Sequence, residues 1–518
     1  MRYFHKTIVV CVLLLAVIGL ARCGGPPGGN IYTKDGAQAE VYTDEDVAKG
    51  EALAAQHCQS CHGLPSPSLL NKSIWKDNVL PLMGQYLGIS AKAPKAPRID
   101  AAYKPGYPAM EDKDWRLINA YYITKAPDEL PVADREEPTH KLPFFEVQPT
   151  PAEWVAAKAF TSYVKIDQSI KPHRLIVCDG LNNKLVVLNN RGQTINTGTL
   201  SATVVDLNFQ SDKILASIIG FDLNPNDIMV GSINEVSFDK KGAVSFKEKH
   251  LFERLNRPLS VNLIDLNQDG KKDYLINQYG NMTGKLSWFE GAAARTEHVL
   301  REKPGCVKAI INYDNPGKLP DVWALFAQGD EGVFIYSNKG KGVFEEKKVL
   351  SFPPSYGSIT FDLVDFNGDG FKDILYACGD NADHSQILKP YHGVYIYLND
   401  GKDNFSQKYF YPINGCNKVI ANDFDGDGDM DLAAVSAYPS EKTPWEGFIY
   451  FENKGGLKFK PYTLPSTVKF THGMTMDAAD IDGDGKTDLL LGGGFAAKAA
   501  NSEEKHPLFL VLKNVIKK

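Results

Sequence analysis

The chain has 518 residues, room for one small and one large domain or for two to four domains. With 57 Lys and Arg against 63 Asp and Glu, its net charge of −6 gives no electrostatic case for nucleic acid. Hydrophobic residues at 43% exclude a disordered or collagen-like chain, and 23 Tyr with 26 Phe favour β-structure, where such side chains pack across strands.

Residues 1–23 read as an export signal. Arg2 and Lys6 form a basic head, and the apolar run 8–21 is short for a membrane-spanning helix. An uncleaved anchor helix is the alternative. The run Leu20, Ala21, Arg22, Cys23 resembles a bacterial lipoprotein cleavage box, from which Arg22 departs because a small residue usually precedes the cysteine. Residues 24–42 follow as a flexible tether. The expected location is the bacterial periplasm, with a lipid on Cys23 as the only membrane attachment.

Thr43 is placed to cap a helix whose first turn holds Asp44, Glu45 and Asp46, where the helix dipole favours acids. Val47, Gly50, Ala54 and His57 continue at helical spacing into Cys58-Gln59-Ser60-Cys61-His62, a C-x-x-C-H. Its two thiols suit thioether bonds to one haem c, with His62 as the proximal iron ligand. A closed zinc site needs about four ligands, and no second Cys/His pair lies nearby in sequence; a thioredoxin-like redox dithiol would want a βαβ context, whereas the flanks here read as helical. A further short helix is expected over 74–87 and another over 112–125, ended at Ala126-Pro127.

Residues 43–126 thus resemble a class I cytochrome c, an all-α domain. The resemblance implies that Gly50 lets the first and last helices cross, with Tyr121 packed there. It also implies that Met110, in the loop before the last helix, is the distal ligand. Here the proline precedes the methionine instead of following it. Met83, inside the middle helix, is the competing ligand. Residues 127–154, with six prolines among them, read as a semi-rigid linker.

From residue 155 a repeat takes over. Four boxes share one pattern: Asp265, Asn267, Asp269, Asp273; Asp365, Asn367, Asp369, Asp373; Asp423, Asp425, Asp427, Asp431; and Asp480, Asp482, Asp484, Asp488. Side-chain oxygens at positions 1, 3, 5 and 9 around a glycine at 6 suit a hard cation, with up to four Ca²⁺ expected. An Asp/Gly-rich turn without metal is the alternative. An EF-hand would need Glu at position 12, where Ile276, Tyr376, Ala434 and Leu491 stand inside apolar strand-like runs. Box starts at 167, 206, 265, 314, 365, 423 and 480 give about fifty residues per repeat, and seven four-stranded units predict a closed β-propeller over 155–518. The last unit lacks a strand, which the segment near 142–147 would supply. These boxes and strands resemble the integrin-like FG-GAP/VCBS propeller family.

That family carries its calcium loops on one face, so the long loops on the other would form a rim. The rim would hold His384, Tyr391, His392, Tyr438, Trp445 and His506, with Arg257, Lys308, Lys418 and His472 from strand starts. It is a candidate substrate or partner site, ordinary loop decoration being the alternative. Cys178, Cys306, Cys378 and Cys416 are left either to disulfides or to buried free thiols. The expectation is an exported electron-transfer protein whose propeller binds a redox partner protein or a small extracellular substrate. A periplasmic dehydrogenase oxidising a sugar or alcohol, and a surface adhesion protein, are the alternatives.

Overall fold

The computed structural model describes residues 42–59, 62–89, 99–158, 160–239, 241–247, 249–291, 295–313, 319–381, 387–494 and 505–517. The export signal, most of the tether, Cys61 and His384 lie outside these residues. The chain divides into compact units Met1–Asp44 and Glu45–Lys518. The first helix opens on the last residue of the first unit, and every other helix and strand belongs to the second. Among the described residues no helix is long and apolar enough to cross a membrane.

Helix α1 (Asp44–His57) buries Val47, Gly50 and Ala54 on one face. Helix α2 (Lys72–Ile74) runs through a π-helical turn, Trp75–Val79, into α3 (Leu80–Tyr86). Helix α4 (Asp112–Lys125) buries Ile118, Ala120, Tyr121 and Tyr122. The expected boundaries of α4 match the structure because its apolar stripe ends where Ala126-Pro127 cannot continue it. These helices are small, and the packing does not set them apart from the rest of the unit as the expected separate domain.

The rest is a seven-bladed β-propeller. The innermost strands of blades 1 to 7 are Thr161–Asp167, Val204–Phe209, Pro258–Ile264, Cys306–Asn312, Ser358–Val364, Cys416–Asn422 and Gly473–Ala479. Each pairs antiparallel with a second strand buried on both faces, such as Asp431–Ser436 and Asp488–Gly493, which explains the unbroken apolar runs after each box. The third strands, including Gly393–Asn399 and Phe448–Asn453, bring the aromatics that fill the space between blades.

Blade 7 takes its outermost strand from far upstream. Phe145–Gln148 pairs with Phe509–Asn514, Phe145 opposite Asn514, and so closes the ring with the segment expected to do so. Phe145 packs edge-on against Phe424 and Tyr450 at 5.6 and 5.5 Å. Burying such a ring contributes about 1.5–3 kcal/mol.

Two starting points expected for boxes are something else. Asp206 lies inside the innermost strand of blade 2, because that blade turns through only four residues between Phe209 and Ile214. Asp167 ends the innermost strand of blade 1, and its carboxylate receives Arg174 Nε at 2.6 Å. In register, Arg174 stands where the intact boxes place their last aspartate, so an internal ion pair fills the position.

Candidate functional site

The C-x-x-C-H follows directly from α1. Cys58 N donates to Ala54 O at 2.8 Å, which carries the helical turn into the motif. A Cβ at Gly50 would run into the Leu117 carbonyl and the Tyr121 side chain, so only glycine lets α1 cross α4 this closely. Trp75 and Tyr122 stand beside the motif with ring centroids 4.3 Å apart. Trp75 Nε1 donates to Pro67 O at 2.8 Å and Tyr122 Oη to Pro65 O at 3.1 Å, pinning the segment after His62. Burial, with Cys58 nearby, raises the Tyr122 pKa well above its ordinary value.

His62 is half-buried, and its Nδ1 lies 2.8 Å from the Gly63 carbonyl. A carbonyl only accepts, so Nδ1 holds the proton and Nε2 carries the free lone pair. Met110 is 9% exposed, and its loop is held where Ala109 N donates to Leu87 O at 2.8 Å. Met83 is half-buried on α3.

In each of the four Asp boxes, the first aspartate accepts backbone N–H groups from within its own loop. Asp265 takes those of Gln268, Asp269 and Gly270 at 2.7–3.2 Å, and Asp480 takes those of Gly483, Asp484 and Gly485 at 2.6–3.2 Å. The glycines at position 6 have φ between +81° and +97°, which favours glycine. In blade 6 single oxygens of Asp423, Asp425 and Asp431 lie within 4.8 Å of one another, as do those of Asp480, Asp482 and Asp488 in blade 7. Asp427 and Asp484 accept the backbone N–H two residues on, as Asp269 and Asp369 do.

The last aspartate of each box does more than the pattern indicated. Asp273, Asp373, Asp431 and Asp488 are fully buried. One oxygen accepts the N–H after the first aspartate, from Leu266, Phe366, Phe424 or Ile481. The other accepts an N–H at the end of the third strand, from Gly291, Asn399, Asn453 or Asn514. The recurring Asn that ends the third strand in blades 5, 6 and 7, with Asn338 on Asp321 in blade 4, is the signal the box pattern leaves out. Burial is the main cause that raises these carboxyls, Asp431 to about 7 and Asp488 to about 6, with neighbouring box aspartates adding to it.

The rim does not assemble as expected. Trp445 lies under the linker: Arg135 sits 4.6 Å over its ring and pairs with buried Glu446. Tyr391 Oη donates to Leu69 O at 2.9 Å and so ties the helical segment to blade 5. His472 Nδ1 meets the Ala437 carbonyl at 3.0 Å, 6.2 Å from the His506 ring. Tyr438 packs on Gly415, and Arg257 donates to the Asp222 and Leu223 carbonyls. Lys308 and Lys418 leave the rim altogether, since Lys418 feels charges from four other blades and so faces the axis. Cys178, Cys306, Cys378 and Cys416 are buried free thiols, and burial pushes Cys178 up to about 12.

Behind Tyr391, His392 is 1% exposed and held well below its ordinary pKa by burial and Lys389. Glu331, 2% exposed, accepts Ser358 N at 2.8 Å, and burial pushes its carboxyl up to about 8.

A family model for the FG-GAP-like repeat matches residues 318–376, which include the blade 5 box. No curated protein matches the sequence. Among solved structures, BBS1N in complex with ARL6DN is similar at 9% identity and TM-score 0.40, over 70% of this chain and 95% of that one. Saccharomyces cerevisiae Sqt1 is similar at 8% identity and TM-score 0.42, over 74% of this chain and all of that one.

Glu331 yields a pH test. The folded protein keeps a proton that the unfolded chain releases above about 4.3, so stability falls as pH rises from there toward 8. The unfolding free energy from urea melts across that range should decline by up to about 1.4 kcal/mol per pH unit, and Glu331→Gln should remove this part of the slope. An unchanged slope in the variant would contradict the assignment.

Proposed function

We propose that the protein is an exported c-type cytochrome in which a calcium-braced FG-GAP-like propeller is the binding module for a redox partner. The observation that carries the reading is the convergence at the C-x-x-C-H: α1 delivers it, Gly50 crosses α4, and His62 keeps Nε2 free. The residues fit a haem c. Cys58 and Cys61 would hold it by thioethers, His62 Nε2 would take the proximal position, and the buried Met110 the distal one, with Met83 the competitor. The bound group supplies one-electron exchange. Trp75 and Tyr122 then exclude water from its surroundings, and the Gly63 carbonyl keeps the His62 proton on Nδ1.

The four boxes suit Ca²⁺ because they share one ligand pattern, whose oxygens converge in blades 6 and 7, while the last carboxylate of each stays buried. A bound cation offsets the charge that burial penalises there. A propeller with FG-GAP-like repeats is consistent with a binding or recognition module, and the linker and helical segment already occupy part of its rim.

Two measurements test this. In the haem-loaded protein, Met110→Ala should abolish the weak iron–sulfur absorption band and lower the midpoint potential. If Met83→Ala does so instead, the distal assignment is wrong. Chelating calcium should lower the melting temperature of the propeller by on the order of 5 °C and leave the haem spectrum unchanged, whereas an unshifted transition sinks the cation reading.

A further inference from the structure

The innermost strands carry a charge pattern that neither the boxes nor the helices use. Each strand has a register break just after its first residue. The charged residues that face the axis are the one after the break or the one two positions further on. From blade 4 round to blade 2 they alternate in sign: Lys308, Asp362, Lys418, Asp477, Lys165, Asp206. An odd ring cannot alternate throughout, and blade 3 places the neutral Ser260 and Asn262 at these positions.

Two adjacent-blade ion pairs form within this belt, Lys165 with Asp477 at 3.2 Å and Lys308 with Asp362 at 3.6 Å. Among the described residues Lys418 and Asp206 make no ion pair within 4.0 Å. Lys418 is drawn to Asp477 and Asp362 at longer range and opposed by Lys308 and Lys165. Asp206 takes the backbone N–H groups of Leu207 and Val261 and feels Lys418 and Lys165, with Tyr163 beside it. Both side chains are half-buried among the innermost strands. That enclosure lowers the Lys418 pKa and raises the Asp206 carboxyl to about 7, the sign of charges lacking a close partner.

We propose that the axial channel binds a small zwitterion, an amino-acid-like molecule whose carboxylate sits on the Lys418 ammonium and whose ammonium sits on the Asp206 carboxylate. The belt balances three lysines against three aspartates, so it is neutral. A simple anion at Lys418 would face Asp206, Asp362 and Asp477, and a simple cation at Asp206 would face Lys418 and Lys165. A ligand carrying both signs satisfies the two unpaired groups and leaves the balance intact. This site is independent of the haem and calcium reading.

The test uses the full-length protein and a series of unbranched amino acids of increasing length: glycine, β-alanine, γ-aminobutyrate and 5-aminovalerate. Titration calorimetry should show one member binding at one site per chain, while acetate and methylammonium do not. Lys418→Met and Asp206→Asn should each weaken that binding by about tenfold or more. Should a variant fail to fold, preference for one chain length over the single-charge ions in the native protein still decides the matter. Absence of binding by every zwitterion at concentrations on the order of 10 mM, or equal binding by the single-charge ions, overturns the proposal. So does undiminished binding by both folded variants.

Discussion

The propeller depends on a carboxylate with no water around it. At the start of the second strand in blades 3, 5, 6 and 7, a fully buried aspartate accepts one N–H from its own loop and one from the end of the third strand. It therefore fixes the loop to the blade by hydrogen bonds alone. Its desolvation also makes a second positive partner favourable. Blade 1 solves the same problem with the pair Asp167–Arg174, and blade 2 avoids it with a short turn. In the proposed reading the four Asp boxes are thus preorganised extensions of a structural clamp, and any cation would add to a loop already held in place.

Ring closure and the helical segment meet through the same stretch of chain. The linker runs from α4 past blade 6, where Arg135 covers Trp445 and Tyr411 Oη donates to Glu136 O at 2.5 Å. It then becomes the last strand of blade 7. On the other side of the segment, Leu69 accepts the Tyr391 hydroxyl. The covalent path from the C-x-x-C-H to the ring is therefore also a packed one, and the helices and propeller share one compact unit. In the proposed reading, a partner bound on the propeller meets a cytochrome held in place, not one swinging on a tether.

Much of the ring was legible in the sequence. The boxes, the apolar runs after them and the seven-fold spacing all reflect local geometry, since each strand and turn is specified by its own residues. The clasp at 145–148 was legible because a ring one strand short must borrow one. What failed were inferences that needed neighbours. Asp206 matched the repeat spacing, but nothing local distinguishes an aspartate in a loop from one in a strand facing the axis. Tyr391, Trp445 and Arg257 had the chemistry of a binding rim, yet what covers them comes from residues 69, 135 and 222–223. The buried thiols Cys306 and Cys416 open innermost strands, a packing role that their spacing does not reveal.

Everything proposed for the helical segment requires that His62 and the cysteines before it carry haem. The direct measurement is the intact mass and absorption spectrum of the full-length protein made in cells that can attach haem c. One covalent haem per chain is the predicted result, lost when Cys58 and Cys61 are both changed to Ser. Protein that emerges from such cells folded and colourless, with no added haem mass, would contradict the cytochrome reading.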